Sequence, residues 1–403
     1  MDKSAKGKWT KGRITPDQQV NLINESMRSG LHLRDILESN GLSYNDLVYR
    51  ESHTQRRGPL RERGVEDLSL AGHGIPLVSF FAGCGGLDTG FEAAGFHHVA
   101  AFEFNEVFCR TLRRNRPHWA VIGPPVQSGD ISDVTQTCRV LQSTLTNPFP
   151  GVFIGGPPCQ PFSIAANQRF SKRGQNFKRT GFDNHISGNL LFDYLQIIIE
   201  FRPRAFLIEN VTGLRDIDDG KQLNSAVESL KRNGYSVFGP EVMDASNFFV
   251  PQFRKRLFVA GILGNGSFSF PTPTNTLVPC GAFLSETPGL LPNGETREHN
   301  SESIRRYMEL YYGQRDQLGR VDRLDPSIPS KTVIAGGTNG GGRSHLHPEI
   351  PRTLSVRECA RLQTFPDKYV FCGPTARQFT QVGNAVPPLL AAQIARSFYD
   401  ALT

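Results

Sequence analysis

Several features are missing from this 403-residue chain, and each absence narrows what it can be. No apolar run approaches the roughly 20 residues of a membrane-spanning helix, and no membrane partner is expected. The first residues are charged where a secretory leader would be apolar, so a cytoplasmic protein is expected. The seven cysteines are odd in number and show no close pairing, which argues against a disulfide framework. No C-x-x-C pair occurs either, so structural zinc is not expected, nor is any other metal. There is no internal repeat and no long low-complexity tract.

What remains is a hydrophobic content of 38% and a length that allows one large core plus a second small domain. The net charge of +7 and an isoelectric point near 9.1 favour a polyanionic partner. The stretch around which the rest is organised is Gly155-Gly-Pro-Pro-Cys-Gln-Pro-Phe-Ser163. It comes directly after the apolar run Gly151–Ile154, which reads as a buried strand. Glycines allow a sharp exit, prolines stiffen the backbone beyond them, and Cys159 is held just past a strand end.

A second glycine-rich turn lies upstream. The apolar strand 75–81 runs into Ala82-Gly-Cys-Gly-Gly-Leu-Asp-Thr-Gly, before a helical pattern. About 20 residues on, Val99-Ala-Ala-Phe-Glu103 is a strand that ends in a carboxylate suited to ribose hydroxyls. Gly129-Asp130-Ile131 comes after another connection. The arginines after Glu103 (Arg110, Arg113, Arg114, Arg116) read most simply as a solvated face. Residues 166–184 are polar and basic, too long for an idle loop. The strand Ala205–Ile208 ends in Glu209, and a carboxylate there needs a partner or a job. Gln252-x-Arg254-x-Arg256 precedes a further strand. From 264 to about 324 no period of 2 or 3.6 is visible, and prolines recur. Ser355 with Glu358 three residues later marks a capped helix. Residues 1–74 read as an appendage. Lys3, Lys6, Lys8, Lys11 and Arg13 open it, helical spacing runs over 16–49, and Arg56, Arg57, Arg61 and Arg63 close it. Its competing readings are a DNA-binding arm and a solvated tether with a packing helix. Strands alternating with helical patterns over 75–263 predict a doubly wound, mostly parallel α/β sheet.

These motifs, in this order, resemble the cytosine-5 DNA methyltransferases over about residues 75–403. Gly155–Ser163 is similar to the family's Pro-Cys loop, and Phe81-Ala-Gly83-Cys-Gly85-Gly86 to its Phe-x-Gly-x-Gly-Gly. The resemblance implies the S-adenosylmethionine-dependent methyltransferase fold over 75–263 and a small irregular target-recognition domain over 264–350. Helices over 351–403 would return to the catalytic domain. It implies that the methyl of S-adenosylmethionine goes to C5 of a flipped cytosine in duplex DNA, leaving S-adenosylhomocysteine. Catalysis would fall to Cys159, Glu209 and Arg256, with Arg254 in support. The cofactor would meet Phe81, Gly83, Cys84, Gly85, Gly86, Glu103, Phe104, Asp130, Ile131, Pro158, Leu190, Asn384, Ala385 and Val386. Residues 166–184 look like the loop that closes over DNA in the family, and Lys331 with Thr332 are candidates for phosphate contact. The prokaryotic branch, of restriction-modification or orphan type, implies a bacterial monomer, with a cognate restriction endonuclease as partner in the first case and none in the second. Two competing readings are the same chemistry on tRNA, whose typical Cys-Phe-Thr signature is absent, and a silent DNA-binding regulator. Since the motifs begin after residue 74, removing residues 1–70 is expected to leave methyl transfer largely intact.

Overall fold

The computed structural model describes residues 14–50, 74–158, 190–284, 289, 291–335 and 344–403. Cys159 and the basic stretch 166–184 lie outside the described residues, as do both basic runs of the N-terminal segment. The chain divides into two compact units. A sheet unit takes Val65–Phe248, Arg254–Thr274 and Val386–Thr403, while a second unit takes the N-terminal residues with Phe249–Phe253 and Asn275–Ala385.

In the sheet unit seven strands lie in the order β3-β2-β1-β4-β5-β7-β6. They are β1 (Ile75–Phe80), β2 (Phe96–Phe102), β3 (Val121–Ile122), β4 (Val152–Gly155), β5 (Ala205–Asn210), β6 (Tyr235–Asp244) and β7 (Lys255–Leu263). Strands β3 to β5 run parallel, and β7 is antiparallel to both its neighbours. Chain order reverses between β1 and β4, the switch point at which open α/β sheets gather ligands. One face carries α5 (Val134–Gln142), α6 (Leu190–Phe201) and α7 (Lys221–Arg232), around buried Phe80, Phe102, Phe153, Phe206 and Tyr194. The glycine turn leads into α3 (Gly86–Ala93), and α4 (Glu106–Asn115) comes after β2. The final helix (Pro388–Leu402) packs directly on α3, because Gly90 has no Cβ: one built there would stand 2.4 Å from Ala391 Cβ and 2.6 Å from Ala392 N.

The second unit corrects the reading of 1–74 as an appendage. Helices α1 (Pro16–Ser29) and α2 (Leu33–Ser39) form as the spacing predicts, α1 behind a capping box of Thr15 and Gln18. The helices pack, as one of the two readings has it, but into the core of the second unit. Ile23, Leu33, Leu37 and Leu47 share one buried cluster with Ile304, Met308, Val321, Leu346 and Ile350. Tyr49 donates to the His347 carbonyl at 2.7 Å, and the Arg352 guanidinium donates to Asn45. Beside them Arg352 forms a bidentate pair with Glu358, both fully buried. The described residues 14–50 carry five acids against three arginines, so this folded part is not the basic arm.

The unit limits also differ from those expected. Residues 351–385, including the capped helix Val356–Leu362, belong to the second unit, and only Val386 onward belongs to the sheet unit. The reason is Gln252 on the inserted strap. Its side chain accepts from Val333 N–H at 2.7 Å and donates to Gln363 Oε1 at 2.9 Å, while Gln363 donates to the Val382 carbonyl at 2.6 Å. Among the described residues, 264–300 hold one short helical turn, Gly281–Leu284, but the helix Ser301–Tyr307, capped by Asn300, and the two-residue strand Asp322–Arg323 also lie in 264–324, where no period is visible.

Candidate active site

Parallel pairing puts the carboxyl ends of β1, β2, β4 and β5 along one edge, through the pairs Phe80↔Phe102, Phe80↔Gly155 and Gly155↔Ile208. Because β7 runs the other way, its first residues reach the same edge. Glu103 follows β2, Glu209 is the next-to-last residue of β5, and Arg254 and Arg256 flank the start of β7.

On one side lies the glycine turn. Phe81, Gly83 and Gly85 all have positive φ (54°, 60° and 81°), and the backbone can hold this shape at little strain only where glycine stands. Phe81 is the exception, and its ring packs edge-on against Tyr194 at 6.2 Å. Glu103 leaves β2 and spans the turn: Gly83 N–H donates to one oxygen at 2.8 Å and Asn105 N–H to the other at 2.7 Å. Burial pushes the Glu103 carboxyl up to about 7, against the pull of those two amides. The next residue, Phe104, stands 64% exposed, an unusual place for a large aromatic. Gly129 brings its backbone against the Glu103 carbonyl, so that a Cβ there would lie 2.3 Å away. Beyond it come exposed Asp130 and buried Ile131. Leu190 opens α6 and packs partly buried on the core. Cys84 is buried in the turn. Arg113 is no solvated face: it donates to the carbonyls of Val121, Gly123 and Pro124 and so fixes the loop below Glu103.

On the other side β4 ends in Gly155, and Gly156 is the next residue. A Cβ on Gly156 would sit 2.7 Å from Glu209 Oε2, so glycine is what lets that carboxylate approach. Asn210 donates its side-chain N–H to the Pro157 carbonyl at 3.1 Å and pins the loop there. Pro158 is exposed, and the described chain stops one residue short of Cys159. Glu209 Oε1 lies 3.0 Å from Arg256 Nε, both side chains about one-seventh exposed. Burial raises the Glu209 carboxyl, with Arg256 and Arg254 opposing. Burial likewise works against both guanidinium charges, but arginine does not release its proton inside a protein, so two positive charges stay beside one carboxyl. Arg254 is 1% exposed and stands directly before β7, its own backbone N–H donating to Asp244.

The structure thus gathers Phe81, Gly83, Cys84, Gly85, Gly86, Glu103, Phe104, Asp130, Ile131, Pro158, Glu209, Arg254 and Arg256 on the sheet unit, at or next to strand ends. Asn384 and Ala385 close the helix Thr375–Asn384 in the second unit, with Val386 the first residue back in the sheet unit. Sequence reasoning missed Tyr194, which backs both Phe81 and Gly155, and the role of Asn210. The signal for Asn210 was its place directly after Glu209; Tyr194 gives none beyond its helix.

A family model described as C-5 cytosine-specific DNA methylase matches residues 75–400. The chain belongs to that family. M.Eco47II of Escherichia coli, a type II methyltransferase, is 30% identical over 360 residues, 82% of this chain and 80% of its own length. M.NgoFVII of Neisseria gonorrhoeae, also type II, is 31% identical and covers 83% and 88%. Among solved structures, a prophage DNA modification methyltransferase from E. coli superimposes with a TM-score of 0.59 at 24% identity, covering 81% of this chain and 99% of that one. At that identity it supports the fold alone. Within the family the chain is a methyltransferase, and its methyl donor is S-adenosylmethionine. No described helix is long and apolar enough to cross a membrane.

Proposed function

We propose that this chain methylates C5 of a cytosine flipped out of a short, specific site in duplex DNA, through a covalent adduct of Cys159. The observation that carries the reading is the Glu209–Arg256 pair at 3.0 Å, set against Gly156 with Arg254 behind it. Residues at the other half of the edge fit the methyl donor. Backbone at positive φ leaves room at Gly83 and Gly85, Glu103 offers carboxylate oxygens for ribose hydroxyls, and Phe104 offers a ring face. Asp130, Ile131, Pro158, Leu190 and Val386 complete the proposed set on the sheet unit. When bound, the donor supplies an electrophilic methyl on sulfonium.

The chain's own residues would prepare the nucleophile. C5 of cytosine reacts poorly until a thiolate adds at C6 and makes the ring enamine-like. Cys159 is the proposed thiol, and with its sulfur next to Arg254 and Arg256 their excess positive charge would favour the ionised form. Glu209, its carboxyl raised by burial, is suited to hold a proton at ring N3 as addition proceeds. Arg256 would bond the O2 carbonyl and offset charge that develops there. Five described cysteines are poor candidates: burial pushes Cys109 and Cys280 up to about 12, and raises Cys84, Cys138 and Cys359 as well. None of these groups reaches a stacked base, so flipping is part of the proposal. The type II relatives suggest a cognate restriction endonuclease for the same site.

A duplex with 5-fluorocytosine at the target is the test, since fluorine cannot leave as a proton does. We expect one covalent adduct, mapped by peptide analysis to Cys159, and no turnover by Cys159→Ser with cofactor binding retained. An adduct elsewhere, or near-normal methylation by the serine variant, sinks the assignment. Bisulfite sequencing of DNA from an expressing host would give the site.

A further inference from the structure

The second unit holds one carboxylate between two exposed cations. Residues Gly313–Arg323 fold back as a tight hairpin. Gly313 N–H donates to the Arg323 carbonyl at 2.8 Å, and Arg323 N–H returns to Gln314 at 2.9 Å. The turn closes with Gly319 N–H on the Asp316 carbonyl at 2.7 Å. Asp322 lies on the returning arm, and its N–H donates to the Ser344 carbonyl at 2.9 Å, so its backbone is fixed on both sides. Its side chain is only 4% exposed, yet it meets Arg315 with both oxygens at 3.2 Å and Lys331 with one at 2.8 Å. Arg315 and Lys331 are themselves 61% and 57% exposed. Burial works against the Asp322 charge, but Lys331 and Arg315 outweigh it and hold the carboxyl below its usual range.

We propose that Arg315 and Lys331 form a clamp for a DNA backbone phosphate, with Asp322 as the positioning residue that fixes both cations. The proposal rests on duplex DNA being the substrate. The carboxylate is already satisfied by the bidentate Arg315. The second cation, Lys331, helps offset the burial of that carboxylate. It also leaves the cluster with a net charge of +1 at the surface. Lys331 spends one of three N–H groups on Asp322 and Arg315 two of five, so both keep donors to offer. Phosphate oxygens take such donors, and two long side chains already locked in place lose less freedom on binding. Thr332, by contrast, turns its hydroxyl inward to the Phe253 carbonyl at 2.6 Å, which leaves the phosphate to its neighbour.

The sign of one substitution separates positioning from bulk charge. Asp322→Asn makes the protein more positive by one unit, which alone would tighten binding to DNA. If Asp322 positions the cations, binding weakens instead. The experiment is the affinity of the full chain for a fluorescent duplex across a salt series, with Asp322→Asn, Arg315→Ala, Lys331→Ala and the double alanine variant. We expect the double variant to lose about tenfold in affinity at low salt, and its plot of log affinity against log salt to be shallower by about one unit. Calorimetric affinity for S-adenosylmethionine should stay unchanged in all of them. An unchanged salt slope in the double variant, or tighter binding by a folded Asp322→Asn, overturns the clamp. Should Asp322→Asn not fold, the exposed Arg315 and Lys331 variants decide the matter alone. Failure of the wild-type protein to bind or methylate duplex DNA would instead defeat the underlying functional reading, and the clamp with it.

Discussion

Glu103 is pulled two ways. Two backbone amides favour its charged form while burial favours the neutral one, and burial wins, to about 7. A folded-state value above the unfolded one means the folded protein binds the extra proton. For an acid, stability is therefore lost as pH rises from about 4.5 through about 7, and the loss is complete above that. At about 1.4 kcal/mol per unit the full effect is about 3 kcal/mol as an upper bound. Thermal melts of wild type and Glu103→Gln across pH 5 to 8 should show it: the wild type falls relative to the variant up to about pH 7, then runs parallel. A difference that grows with pH above 8 would refute the cause. The same conflict predicts that the protein binds S-adenosylmethionine more tightly at about pH 8 than at about pH 6, since ribose hydroxyls donate to the ionised form. Calorimetry at the two values checks it, and Glu103→Ala should bind weakly at both. The acidic strand end and the glycines before it were legible from their spacing. What the spacing does not contain is the amide pair that holds Glu103 or the tyrosine behind Gly155. Both depend on which strands lie side by side.

At the scale of elements, the sheet and helices of 75–263 were readable because buried strands and amphipathic helices leave strong periods. The reversed strand β7 was not, since a fully buried strand looks the same in either direction. The N-terminal helices show the opposite failure. Their periods were visible, but nothing local reveals that the partners of Ile23 and Leu37 stand some 270 residues away at Ile304 and Met308. The expectation that residues 1–70 are dispensable falls with that finding. Removing them would strip one side from a buried cluster and leave Arg352 and Tyr49 contacts unmade. A truncation starting after Arg50 should lose its cooperative melt or precipitate. The milder Leu37→Ala, at a fully buried position, should cost about 2–5 kcal/mol in denaturant unfolding. A soluble truncation with unchanged melting temperature would contradict this.

For the molecule as a whole, the chain enters and leaves each unit repeatedly, crossing between them at five points along its length. Neither unit is a continuous segment. A fragment spanning 275–385 alone lacks both the N-terminal helices and Gln252, and we expect it to be unfolded by circular dichroism, while a fusion restoring 14–50 and 249–253 should regain helix. The expected cut at 264 and 351 missed this because composition marks where pattern lapses, not which pieces pack together.

The tight seat of the last helix on α3 also has a meaning in time. Gly90 allows that contact only with a segment made after the entire second unit. At synthesis rates of about 5–20 residues per second, the glycine turn emerges tens of seconds before the helix that braces it. During that interval the nascent chain holds its sequence signature for the methyl donor but not the support beneath it. A ribosome stalled anywhere before residue 388 should therefore carry a chain that cannot be crosslinked to S-adenosylmethionine, and competence should arrive abruptly with the final helix.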